Sequence, residues 1–124
     1  MWRLNAQNAD LYASKEAQLT GIEIAFIGEE HREVSLLGET GTLDTVSGDA
    51  AIRRGAREVR IVTTDGYLLT TDSLAWRAGE RVVLVPGAFK LLGRELYLEG
   101  RRLSANTDMR MIEVQENVKA VLQE

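Results

Sequence analysis

Val59-Arg60-Ile61-Val62-Thr63-Thr64-Asp65-Gly66 decides the fold class of this chain. Val59, Ile61 and Thr63 alternate with Arg60, Val62 and Thr64. A period of two sends successive side chains to opposite faces of a strand. Asp65-Gly66 then offers what a tight hairpin turn needs: a side chain that bonds nearby backbone and a residue free to take positive φ.

The same grammar extends in both directions. Ile22, Ile24 and Phe26 alternate with Glu23 and Ala25, Phe89 and Leu91 flank Lys90, and Leu96 and Leu98 flank Tyr97. Turn signals separate these runs at Gly28-Glu29-Glu30, Ser47-Gly48-Asp49, Ala78-Gly79-Glu80 and Pro86-Gly87. Short antiparallel strands in succession imply an all-β domain over residues 1–124: a sandwich, jelly roll or open barrel. Two segments stay open. Asn8 to Leu19 is rich in helix formers, and Val114, Val118, Val121 and Leu122 fit a helical face while Val118, Ala120 and Leu122 fit a strand.

Four stretches share one pattern: Leu4 to Leu11, Leu36 to Leu43, Leu69 to Trp76 and Leu98 to Ala105. Each opens on Leu, has Ala6, Gly38, Thr71 or Gly100 two places on, then Ala9, Gly41, Leu74 or Leu103, and closes on Leu11, Leu43, Trp76 or Ala105. Their starts lie 32, 33 and 29 residues apart. Such a period signals stacked units, none able to bury its apolar face alone.

The 124 residues are one domain's worth, and a hydrophobic share of 44% is that of a globular chain. A net charge of −4 argues against bulk attraction to nucleic acid. With no cysteine there are no disulfides, thiol catalysis or cysteine metal sites. The longest apolar runs, such as Val82 to Val85, fall far short of the ~20 residues of a membrane helix. Met1 stands directly before the first pattern, which fits a soluble portion whose targeting segment has been removed.

Chemistry-bearing motifs are sparse. His31, the only histidine, lies in the charged run Glu29-Glu30-His31-Arg32-Glu33 with no partners at metal-ligand spacing. There is no Gly-x-Ser-x-Gly elbow, and Gly38-Glu39-Thr40-Gly41 lacks the Lys-Ser/Thr of a phosphate loop. Asp10, Asp44, Asp72 and Asp108 recur near the ends of the four copies, where turn capping explains them more simply than catalysis. Gly21, Gly93 and Gly100 fall inside strand-like runs, as at bulges or close backbone approaches. Arg53, Arg54, Arg57 and Arg60 form one basic patch and Arg94, Arg101 and Arg102 another, without interleaved aromatics. No catalytic residue, metal site or cofactor is expected.

The expected inward set is Leu4, Leu19, Ile22, Ile24, Phe26, Leu36, Ile61, Leu69, Leu74, Trp76, Leu84, Phe89, Leu91, Leu98, Leu103, Met111, Val118, Ala120 and Leu122. In a strand-rich domain such a set either fills a closed core or lines a cleft for an apolar ligand. The residues alone leave both open.

Several stretches resemble the LptC family, and more broadly the LptA/LptC (OstA-like) repeat superfamily. Trp2-Arg3-Leu4-Asn5-Ala6-Gln7-Asn8-Ala9-Asp10-Leu11-Tyr12 is similar to its opening strand, and Leu19-Thr20-Gly21-Ile22-Glu23-Ile24-Ala25-Phe26 to its second. Thr70-Thr71-Asp72-Ser73-Leu74 and Leu96-Tyr97-Leu98-Glu99-Gly100-Arg101-Arg102-Leu103 match recurring elements, and Glu116-Asn117-Val118-Lys119-Ala120 resembles the closing strand.

The resemblance implies a twisted open β-jelly roll in the periplasm. It implies a non-enzymatic carrier that takes the acyl chains of lipopolysaccharide from LptF and LptG of an ABC transporter and passes them to LptA. The interior residues expected to meet lipid are Ile22, Ile24, Phe26, Leu36, Leu69, Trp76, Phe89, Leu98, Val118, Ala120 and Leu122. Gly93 and Gly100 are expected to resist substitution. Trp2, Leu4 and Ala6 at one end, and Val118, Lys119, Ala120, Val121 and Leu122 at the other, are expected to be partner-binding edges, with homodimerisation through them a further expectation. The family carries an N-terminal membrane helix that this sequence lacks. The chain therefore fits a membrane-anchored LptC stripped of its helix, an LptA-like soluble bridge, or a structural β-repeat with a closed core.

Overall fold

The computed structural model describes residues 2–11, 16–27, 32–106 and 111–122. Its elements are β1 (Trp2–Leu11), β2 (Glu16–Ile27), β3 (Glu33–Asp44), β4 (Ala50–Arg53), β5 (Val59–Thr63), β6 (Leu68–Thr71), β7 (Ser73–Arg77), β8 (Val82–Leu92), β9 (Leu96–Asn106) and β10 (Ile112–Leu122). Both open segments resolve as strand where described: 8–11 belongs to β1, 16–19 to β2, and 112–122 to β10. Cross-strand pairing overrides the local helix preference of those residues.

All ten strands join one antiparallel sheet. β2 lies between β1 and β3. The far side of β3 pairs with β5 over Val34–Leu37 and with β4 over Thr40–Leu43. β8 repeats the arrangement, taking β7 along its first half and β6 along its second, with β9 and then β10 beyond. Among the described residues β1 and β10 each pair on one side only, so they are the two outer edges of the sheet.

Within the described residues, one core runs the length of the inner face. It joins Leu19, Ile24, Leu36, Ile52, Leu69, Trp76 and Phe89 among others, all buried. The sheet is rolled over that core as a twisted, open β-jelly roll.

The spacing of the four repeats has a physical meaning. Strict alternation would put positions 1, 3, 5 and 7 inside. In β9 the buried residues are instead Gly100, Leu103 and Ala105, with half-buried Leu98 leading them. The phase slips by one residue between Gly100 and Leu103. Arg102 sits in that gap in the left-handed region, φ 58°, opposite the extra residue that Pro86-Gly87 adds to β8. This is a β-bulge, which bends a strand and raises its twist.

β2 slips at the same level. Leu19 and Ile22 both point inward, and Gly21 between them has φ 61°. In the third repeat the slip falls at Asp72, where β6 ends and β7 begins. Each repeat therefore encodes a strand kinked at its middle, and the kinks line up across the sheet.

Four sequence expectations need correction. Pro86-Gly87 is not a turn but lies inside β8. Gly93 lies not in a strand but in the β8–β9 turn, where its N–H donates to the Leu96 carbonyl at 2.8 Å. Met111 is 70% exposed rather than inward. Leu84 is only half-buried, because Val83 and Val85 take the inward positions of β8. The Asp65-Gly66 turn forms as expected, with Gly66 at φ 98° and the Gly66 N–H on the Thr63 carbonyl. Gly28-Glu29-Glu30 and His31 lie outside the described residues.

Candidate functional site

The repeats build the inner face through two matching ladders. In the first half of the sheet, Ala6 of β1 and Gly38 of β3 flank Ile22 of β2. In the second half, Thr71 of β6 and Gly100 of β9 flank Phe89 of β8. The small position of every copy thus lies beside one large side chain. The opening leucines follow suit: Leu4 and Leu36 flank Ile24, and Leu69 and Leu98 flank Leu91.

Of the residues expected to line the interior, Ile22, Ile24, Phe26, Leu36, Leu69, Trp76 and Phe89 all lie in one buried cluster. Phe26 and Trp76 meet edge to face, ring centroids 5.1 Å apart, and join the two halves of the sheet. Leu98 is half-buried and packs against that cluster, as do Leu4 and Ala6 from β1 and Ile112 and Val114 from β10. These five form an apolar rim on β1, β9 and β10. Val118, Ala120 and Leu122 belong to β10, with Ala120 beside Leu98 and Leu122 beside Leu96, but their side chains and that of Trp2 lie outside the description. Sequence reading missed Ala17, Val34, Ala50, Ile52, Val59, Val83, Val85 and Ala105 in the core. Ile52 carried a usable signal, since it is the one large apolar residue of a short strand, between Ala51 and Arg53.

Both singled-out glycines are in close contact. A Cβ on Gly100 would lie 2.5 Å from the Glu116 carbonyl oxygen and 3.1 Å from Phe89 Cζ. A Cβ on Gly93 would lie 2.7 Å from Cε1 of Tyr67. The first obstacle is backbone, the second an exposed ring.

The charged residues are used locally. Asp44 caps the β3–β4 turn, its Oδ1 accepting from the N–H groups of Val46 at 2.8 Å and Ser47 at 3.1 Å. Asp72 accepts from Arg54 at 2.9 Å, and Glu39 from the N–H groups of Ala56 and Arg57. The link 54–58 is thereby tied to the kink line on both sides. Asp65 accepts from the Thr63 hydroxyl and from Arg32 Nε at 3.1 Å, and these bonds, Thr63 foremost, hold its carboxyl below the usual range. The Glu99 carboxylate accepts from the Tyr97 hydroxyl and pushes that phenol up. Asp108 lies outside the described residues, as does the side chain of Asp10. Among the described residues no three potential metal ligands converge, and no helix is long and apolar enough to cross a membrane. The arrangement offers an apolar inner face and, on β1 and β10, strand edges that pair on one side among the described residues.

No family model matches the chain, and no curated protein matches it. Among solved structures it is similar to LptH from Pseudomonas aeruginosa, the LptA homologous periplasmic component of that organism's lipopolysaccharide transport device. The likeness covers 100% of this chain and 96% of that one, with a TM-score of 0.74 at 13% sequence identity. The fold they share is the twisted, open jelly roll of antiparallel strands.

Proposed function

We propose that the chain is a non-enzymatic carrier of lipopolysaccharide acyl chains in a periplasmic bridge of the LptA/LptC type. The observation that carries this reading is the pairing of a continuous apolar inner face with two unpaired sheet edges, one at each end of the chain. A closed structural domain needs the first but has no use for the second, which invites aggregation unless a partner covers it. The likeness to LptH over the full chain supports the same reading.

In this scheme acyl chains enter between the outer strands, past Leu4, Ala6, Leu98, Ile112 and Val114, and displace contacts in the core behind them. Each sheltered methylene offsets about 0.8 kcal/mol of hydration cost, so a chain of a dozen can offset the parting of the rim. Within this reading the chain holds the LptC position: inner-membrane anchored in its full form, loaded by LptF and LptG, and unloading to LptA. An LptA-like soluble bridge uses the same surfaces. An apolar run of about 20 residues encoded just upstream of Trp2 would favour the LptC position.

A second reading is a structural repeat with a closed core, which the tight burial of Ile24, Leu36 and Phe89 favours. Photo-crosslinking separates the two. A crosslinker at Phe26 or Ile112 is expected to capture lipopolysaccharide, while one at Val46 on the outer β3–β4 turn is not. Capture at none of these positions, with no lipid in the mass spectrum of the purified protein, would favour the closed module.

A further inference from the structure

The outer face of the sheet carries a row of apolar side chains that the carrier reading does not use. Val62, Leu68, Leu92, Tyr97 and Val121 are cross-strand neighbours on β5, β6, β8, β9 and β10. Paired residues in an antiparallel sheet point to the same side. The inner row beside this one is Ile61, Leu69, Leu91 and Leu98, so the first row faces out. Five strands at ~4.8 Å make it roughly 20 Å wide. Val62, Leu92 and Val121 are 39%, 43% and 37% exposed, and Tyr67 in the adjoining turn is 36% exposed. Leu92, Gly93, Leu96, Tyr97 and Val121 enclose a groove of about 260 Å³ within the row.

The next outward row, two residues inward along each strand, is Arg60, Thr70, Lys90, Glu99 and Lys119. It holds three cations against one carboxylate, on a chain whose net charge is −4. Among the described residues none of the three cations is in an ion pair. Arg60 Nε is buried and has no hydrogen-bond acceptor. This part of the outer face is therefore apolar in one row, with two tyrosines at that level, and basic in the next, about 7 Å along the strands.

We infer that this end of the outer face docks on a membrane surface bearing anionic headgroups. Apolar and aromatic side chains would enter the headgroup boundary while Arg60, Lys90 and Lys119 face the lipid phosphates, the arrangement that holds proteins at bilayer interfaces. The exposed apolar area is on the order of 300 Å², typical of a functional patch and well short of the ~800 Å² per partner of a stable protein interface. Size and charge together favour a lipid surface over a protein. The inference stands apart from lipid carriage inside the roll, because it concerns the opposite face.

Flotation with vesicles of phosphatidylglycerol and phosphatidylcholine, free of lipopolysaccharide, tests it at ~0.1 M salt, where a screening length near 10 Å lets the local row outweigh the distant net charge. The chain is expected to float with phosphatidylglycerol vesicles and not with pure phosphatidylcholine. Lys90→Ala should weaken partitioning about five-fold, the worth of one basic residue near an anionic surface. Leu92→Ser should also weaken it, with unchanged circular dichroism. Because the chain has no native cysteine, a polarity-sensitive fluorophore can be attached at Val62→Cys or at Val46→Cys. A blue shift with vesicles at 62 and none at 46 supports the inference. Absence of flotation, equal flotation with neutral vesicles, indifference to both Lys90→Ala and Leu92→Ser, or an equal shift at 46 would each overturn it.

Discussion

Phe89 stands directly opposite Gly100 across β8 and β9, and its ring occupies the room that a side chain at 100 would need. Gly93 is hemmed in from a different direction, by the ring of Tyr67. The expectation from sequence is that both exclude bulk, Gly93 through the family resemblance and Gly100 as the small position of the last repeat, but the obstacles differ in how far they can move. Tyr67 is exposed and can swing away, whereas the Glu116 carbonyl above Gly100 is fixed by the β9–β10 ladder. Gly100→Ala is therefore expected to cost about 1–3 kcal/mol, the usual penalty of overpacking. Gly93→Ala should cost less, and Tyr67→Ala should remove much of that cost. Urea unfolding of Gly100→Ala, Gly93→Ala and the Gly93→Ala/Tyr67→Ala pair measures all three; equal losses for the two glycines would refute the distinction.

Arg102 carries a left-handed backbone, φ 58°, in the middle of a strand. Such a conformation costs an ordinary residue about 1–2 kcal/mol and glycine almost nothing. Arg102→Gly should thus hold or raise stability despite the extra freedom it gives the unfolded chain. Arg102→Val should lower it by about 1–2 kcal/mol, since a β-branched side chain tolerates positive φ worst. If valine is tolerated as well as glycine, the kink in β9 does not depend on this residue.

The kink also shows what could and could not be read from the sequence. The repeat positions Leu98, Gly100, Leu103 and Ala105 are legible because the inner face demands small and apolar residues there. The reason for the three-residue gap between Gly100 and Leu103 is not legible, because it depends on Pro86-Gly87 lying opposite in β8. Proline followed by glycine usually marks a turn, and only the neighbouring strand makes it a bulge. Val82 to Val85 fails for a related reason. A run with no polar residue carries no phase, and pairing with β7 and β9 selects Val83 and Val85 over Leu84. Edge strands β1 and β10 are only half legible: residues 8–11 and 114–122 fit a helix as well as a strand, and pairing with β2 and β9 decides between them. Their lack of an outer partner is a property of the sheet order alone.

Asp65 links the β5–β6 turn to Arg32, and its carboxyl is held below the ordinary value of 3.8. A depressed folded-state value stabilises the fold above the unfolded value and loses that stabilisation as pH falls through the folded one. The contribution is therefore complete at neutral pH and fades below about pH 4. Asp65 is half exposed, so solvent screening keeps the effect under about 1 kcal/mol. Asp65→Asn should lower Tm slightly at pH 7 and converge with the parent chain near pH 2–3. A difference in Tm that persists unchanged at low pH would assign the effect to the Thr63 and Tyr67 turn geometry rather than to charge.

β10 bonds to β9 along one side, and no other described strand pairs with its second side. N–H groups alternate sides along a strand, so residues 119 and 121 send theirs one way and residue 120 the other. Proline removes one N–H and fixes φ. At one parity it therefore breaks the β9–β10 ladder and lowers the stability of the chain itself. At the other it leaves the ladder intact and removes a donor that a docking strand would use. Proline at Lys119, Ala120 and Val121 should split into these two classes, with 119 and 121 together. If β10 is the edge that receives an LptA strand, one class weakens that complex at unchanged Tm, and alanine at the same positions does not. Binding through backbone bonds should also survive ~0.5 M salt, which cuts the screening length below that of physiological solution and weakens contacts between exposed charges. Thermal melts and a pull-down on the three proline variants supply both readouts. Equal effects of proline and alanine, or loss of the complex in salt, would shift the interface from the edge backbone of β10 to the basic row at Lys90 and Lys119.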